Sequence, residues 1–155
     1  DPLQEGIAVM SEFMSDGLTA NRLRTLAGRV IGGSARLEGA DFLQIFRLLK
    51  MNYGFSAVPA FNITSRIMQG GGFLKDIIYL KGLVQLREHL LNGGDYESLL
   101  SGKYALHHTK IIEELTTRKV LKPGVLKPSY LSTQKFKDKI KLIRDGLPIS
   151  KMITT

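Results

Sequence analysis

From Leu3 to Ile143 the apolar residues of this chain recur at spacings of three and four, and nowhere do they alternate at period two over a useful length. A helix turns once in about 3.6 residues, so this spacing gathers apolar side chains on one side of a helix. Strands would need alternation. The pattern restricts the chain to an all-α fold. Leu3, Ile7, Met10 and Met14 form the first stripe, and Gly17 ends that helix. Thr19 is an N-cap for "ANRLRTLAGRVIGG", with Leu23, Leu26, Ala27, Val30 and Ile31 as its stripe. Gly32-Gly33 is expected to stop it. Asp41 opens a third helix that Gly54 closes. Ser56 caps a fourth, with Pro59 tolerated in its first turn, and Gly70-Gly71-Gly72 ends it.

The widest apolar band lies in "KDIIYLKGLVQLREHLLNGG". Tyr79, Leu83, Leu86 and Leu90 share one face, and Ile77, Ile78, Leu80, Val84 and Leu91 broaden it. So wide a band expects neighbours on several sides. Asp95 caps a short helix, and "YALHHTKIIEELTTRKV" makes a seventh. Two prolines and no periodicity make residues 121–131 an extended surface segment. "STQKFKDKIKLIRDG" is a basic last helix with Phe136, Ile140 and Ile143 inside, and "LPISKMITT" is expected to fray. The expectation is a single all-α domain of about seven or eight helices. Residues 1–120 form its main part, and residues 121–155 pack on the same domain.

Composition narrows the chemistry. The 155 residues include no cysteine, which excludes disulfides, thiolate metal sites and cysteine nucleophiles. No apolar run reaches the roughly 18 residues that a membrane span needs. A cytoplasmic chain with no membrane partner is the expectation. The net charge is +8, and all of it lies in residues 103–155, where 12 basic residues face 4 acidic ones. A basic third could meet nucleic acid or an acidic protein surface. Aromatic interleaving is sparse there, so nucleic acid is not the expected partner.

Few residues offer chemistry. Glu5 lies on the polar side of its helix with Glu12 and Asp16. It reads either as part of a solvated acidic face or as a carboxylate ligand to zinc, which would need partners, usually histidines. The three histidines, His89, His107 and His108, show no metal-binding spacing and read as packed or capping residues. "RIMQGGGFLKD" places Arg66 one turn before Gly70, Gly71 and Gly72, with Lys75 just after them. It reads as a helix end and tight turn, or as a backbone cradle in which Arg66 and Lys75 hold a carboxylate or phosphate. Tyr79 reads as a core tyrosine or as a hydrogen-bond donor to a developing oxyanion.

Taken together, "LQEGIAVMSEFM", "LTANRLRTLAGRV", "EGADFLQIFRLL", "RIMQGGGFLKDIIYLKGL" and "GKYALHH" resemble the flavohemoglobin expression-modulating QEGLA-motif proteins of bacteria. The resemblance runs through most of residues 3–115. That family is similar to the microtubule-associated tyrosine carboxypeptidases, which are zinc metallopeptidases. The resemblance implies an upstream H-E-x-x-x-H motif, with two zinc-binding histidines and a general-base glutamate, and a third ligand at Glu5. It implies that Arg66 or Lys75 holds the terminal carboxylate of a peptide, that Tyr79 assists the oxyanion, and that Asp76 favours its helix dipole. His108 matches a family histidine to which no role is attached.

The expectation is therefore the C-terminal helical part of a zinc carboxypeptidase-like protein. It would supply the third metal ligand and part of the substrate cleft, and would be inactive and zinc-free as an isolated chain. Its partners would be its own N-terminal half, a peptide C-terminus and, through surface left uncovered, a second copy. The rival reading is a non-catalytic helical regulatory module.

Overall fold

A computed structural model describes residues 2–69, 73–122, 124 and 126–154, with the side chains of residues 73–75 outside that description. The described residues form seven α-helices and no strand. These are α1 (Pro2–Met14), α2 (Ala20–Leu37), α3 (Phe42–Arg47), α4 (Ala57–Met68), α5 (Phe73–Leu91), α6 (Thr109–Thr117) and α7 (Gln134–Arg144). The chain divides into two compact units. One comprises Asp1–Leu18 and Lys81–Thr155, the other Thr19–Leu80.

In the terminal unit, α1 buries Leu3, Val9, Met10, Phe13 and Met14 along one face. Leu83, Leu86 and Leu90 of α5 are fully buried, as are Leu99, Ile143 and Met152. Phe136 and Ile140 join Ile143 on the inner side of α7, the stripe the spacing predicts. Helices α1 and α5 meet at a pair of glycines. A Cβ on Gly6 would collide with the backbone of Gly82, and one on Gly82 would collide with the Pro2 carbonyl. Only hydrogen at both positions lets the two backbones touch.

The far end of α1 is closed from outside the helix. Lys139 Nζ donates to the Phe13 carbonyl at 2.5 Å and to Asp16 Oδ1 at 2.6 Å. The same ammonium lies 4.7 Å from the Phe13 ring centre. It answers the unpaired carbonyls and the negative dipole end that terminate every helix. Lys139, although it belongs to the basic last third, is buried. A second tie joins three hydroxyls. Tyr130 OH lies 2.9 Å from Ser11 Oγ and 3.0 Å from Tyr96 OH.

The C-terminal stretch does not fray. The Thr154 N–H donates to the Leu18 carbonyl at 2.9 Å. Arg87 Nε donates to the Leu147 carbonyl at 2.6 Å. These bonds and the Met152 side chain hold it, where composition alone shows only a short polar tail.

In the central unit, α2 and α4 are the principal packing pair. Here Gly32 and Gly33 do not stop α2, which continues to Leu37. A Cβ on Gly32 would meet Ile67 and Ile45, and one on Gly33 would meet Ile77. These glycines are spent on close packing rather than on termination. Gly28 meets Ile63 and Gly32 meets Ile67, so α2 and α4 run in the same sense. Asp41 caps α3 in a reciprocal capping box with Gln44. The third helix then widens into a π-turn over Leu48–Asn52 before Gly54 turns at φ 64°. Arg24 fixes that turn, donating to the carbonyls of Tyr53 and Gly54 at 2.8 and 2.9 Å. The helix expected from residue 104 begins instead as a 3₁₀ turn, Leu106–His108, before α6.

Candidate functional site

Glu5 lies in the first turn of α1 and is half-buried, not part of an open acidic face. Its position follows from its neighbour: Gly6 brings α1 onto α5, which fixes where the preceding carboxylate can go. His89 lies on the last turns of α5 beneath Gly94, and its Nε2 is buried without a hydrogen-bond partner among the described residues. With Pro2, Leu3, Glu88 and His107 it lines a shallow groove of about 750 Å³. The His107 and His108 rings lie 4.0 Å apart at 60°. Among the described residues no three of His, Asp and Glu are placed to hold a metal ion. Three or four ligands are needed for zinc. Glu5 is thus one candidate ligand, not a site, and no step through a metal follows from these residues.

The central unit holds the stronger electrostatic feature. Asp76, on the first turns of α5, is 1% exposed. Its Oδ1 accepts from Arg66 Nε at 2.7 Å and faces Arg29 Nη1 at 3.5 Å. So Asp76 does more than favour a helix dipole: it is the buried counter-ion of two guanidiniums. Burial lowers the Arg29 pKa from its ordinary value, and the Arg66 charge lowers it further, against the pull of Asp76. Arg29 stays protonated at neutral pH all the same. Tyr79, one turn after Asp76 on α5, is half-buried.

Arg29 and Arg66 border a groove of about 540 Å³ between α2 and α4. Asn21, Thr25 and Arg29, one turn apart along α2, form one wall. Asn62, Ser65, Arg66 and Gln69 stand on the other, and no carboxylate is among the lining residues. The structure therefore brings Arg66 and Asp76 together, with Tyr79 one turn further along α5, and adds Arg29, which sequence reasoning missed. Its signal was available: Asn21, Thr25 and Arg29 make a polar row at i, i+4, i+8 opposite the apolar stripe. Glu5 belongs to the other unit. Gly70, Gly71, Gly72 and the Lys75 side chain lie outside the described residues.

The family model for microtubule-associated tyrosine carboxypeptidases matches residues 1–146. The chain belongs to that family. The match spans α1 through α7, so the basic last helix is part of the family domain and the relationship extends past the residue-115 limit of the motifs. The carboxypeptidase-like relation accounts for the chain as a whole and assigns no role to any residue. Neither a curated protein nor a solved structure matches it. No helix among the described residues is long and apolar enough to cross a membrane.

Proposed function

We propose that this chain is part of a zinc-dependent carboxypeptidase-like hydrolase that removes a residue, such as tyrosine, from a peptide C-terminus. The family match over residues 1–146 carries the reading. Glu5 is the metal-binding carboxylate contributed by this chain. The remaining ligands and the general base are histidines and a glutamate that it does not carry. Arg66 or Lys75 serves the substrate carboxylate and Tyr79 the oxyanion. Support for Glu5 comes from its setting, since a backbone-to-backbone crossing immobilises its helix in the adjoining residue. A ligand must be held to a few tenths of an ångström, and such a crossing gives that precision.

The test has two arms. Calorimetric titration of the 155-residue chain with zinc should give no one-to-one site of micromolar affinity. In a protein that joins this chain to an H-E-x-x-x-H segment, Glu5→Gln should lower both the zinc content and the release of C-terminal tyrosine. A tight site in the chain alone, or undiminished zinc in Glu5→Gln, refutes the assignment.

A further inference from the structure

In the terminal unit, α6 stands off the body of the protein. Of its nine residues, all described, only Thr109 is buried, although Ile111, Ile112 and Leu115 are apolar. Between α6 and the 3₁₀ turn Ser98–Leu100 lies a cavity of about 360 Å³. Small-molecule sites span about 300–1,000 Å³, so this one suits a small ligand. Its apolar walls are Leu100, Leu126 and the buried Leu131. The segment that carries Leu126 is tied on both sides of it. A Cβ on Gly124 would come within 3.3 Å of the Leu100 carbonyl oxygen, and Lys127 Nζ pairs with Glu97 Oε2 at 2.6 Å.

The polar side chains around this cavity are, with one exception, already engaged. The Ser98 and Ser101 hydroxyls donate to the Asp95 and Ser98 carbonyls. Those of Thr116 and Thr117 donate to the Ile112 and Glu113 carbonyls of their own helix, at 2.8 and 2.9 Å. None of the four hydroxyls is left to donate to a ligand. Asp95 Oδ2 accepts from the Ser98 N–H at 2.7 Å, and Glu97 is neutralised by Lys127. The exception is Glu113, whose carboxylate meets neither a donor nor a cation among the described residues. Glu113, Thr116 and Thr117 stand at i, i+3 and i+4, so they share the face that α6 turns to the cavity. Three carboxylates and one lysine line the space, which makes it locally negative in the third of the chain that carries the +8.

We infer that the cavity beneath α6 binds a small organic monocation, an ammonium on a compact apolar body, with the ammonium at Glu113 and the body against Leu100, Leu126 and Leu131. The body gains by leaving water, and the ammonium gives Glu113 the charge-assisted partner it lacks. A neutral ligand of the same shape leaves that carboxylate unanswered, and an anion meets like charge. A bare metal ion would find one uncommitted carboxylate where three or more ligands are needed. The site shares no residue with the carboxypeptidase-like reading, so the two stand or fall separately.

Titration of the 155-residue chain with 2-phenylethylamine, followed by amide NMR, tests this. The amine is protonated at neutral pH and should shift the Ser98, Ser101 and Thr117 amides with a Kd below about 10 mM, the weak limit for a ligand of this size. The alcohol 2-phenylethanol has the same body without the charge and should bind about tenfold more weakly, the scale of one charge-assisted contact. Glu113→Gln, at an exposed position, should bring the amine down to the level of the alcohol. Glu114→Gln, whose carboxylate pairs with Arg118 instead, should leave the amine unchanged. Thr117→Phe should remove both ligands by filling the cavity. Four results overturn the inference: no shift at these amides, equal affinity for amine and alcohol, equal affinity for the amine and for methylammonium, which has no apolar body, or full amine affinity in Glu113→Gln.

Discussion

Gly82→Ala separates two opposed effects of known size. Alanine is the better helix former by about 1 kcal/mol, so on propensity alone the variant should gain stability. The crossing with α1 opposes this. The new methyl would fall on the Pro2 carbonyl and within 2.8 Å of the Gly6 amide nitrogen. Both are backbone atoms, and no rotamer change can move them. Relief requires α1 to shift bodily against a core of fully buried Val9, Met10, Leu83 and Leu86. Overpacking of this kind costs about 1–3 kcal/mol, and more where backbone must move. Taking the upper end of that cost, about 3 kcal/mol, because backbone must move, the propensity gain of about 1 kcal/mol leaves a net loss of roughly 2 kcal/mol. With a urea dependence of about 2 kcal/mol/M, the unfolding midpoint falls by roughly 1 M or more. Gly33→Ala is the matched control. Its methyl would meet only the Ile77 side chain, at 2.9 and 3.0 Å, and that flexible end can yield. Its stability should stay within about 1 kcal/mol of the parent. Urea unfolding followed by far-ultraviolet circular dichroism measures both. A Gly82→Ala midpoint equal to that of the parent, or a Gly33→Ala midpoint below that of Gly82→Ala, would show that the helices do not touch at this point. The account of how Glu5 is positioned would go with it.

Two pH responses complete the expectations. Hydrogen bonds from Lys135 and Lys139 hold the Asp16 carboxyl below its ordinary value. Its contribution is present above the unfolded value near pH 4 and is lost as pH falls through the folded one, so Asp16→Asn should flatten the acid limb of a stability–pH profile. An unchanged limb refutes the pairing. Burial pushes the Tyr96 phenol up, so it keeps its proton in the folded state. Stability should then fall as pH rises past about 10, where the unfolded tyrosine ionises, and Tyr96→Phe should reduce that slope. Ultraviolet titration should show one tyrosine ionising only with unfolding, and early ionisation of all five tyrosines refutes its burial.

Helical periodicity made the class of fold legible because it is local. Each apolar stripe follows from residues within a few turns of one another: that of α7 is buried as the spacing predicts, and in α1 Leu3, Met10 and Met14 are buried while Val9 and Phe13, rather than Ile7, complete the face. The N-caps at Thr19 and Asp41 are legible for the same reason, since each bonds a backbone N–H three residues on. Glycine was not legible. Gly32-Gly33 has the appearance of a terminator, yet α2 continues through it because isoleucines from three other elements need the space of the missing side chains. The last residues look disordered on composition, but Leu18 is where Thr154 finds its acceptor, 136 positions away.

The candidate sites divide along the same line. Glu5, Arg66 and Tyr79 could be singled out from motifs, since a motif needs no knowledge of what packs against it. The polar row that holds Arg29 is visible in the sequence, but its pairing is not, nor is the role of Asp76 as a buried counter-ion, because Arg29, Arg66 and Asp76 are brought together only when α2, α4 and the start of α5 pack. A side chain's charge is written in the sequence. Whether that charge is solvated, neutralised or left over for a ligand depends on which neighbours exclude water from it, and packing alone decides that.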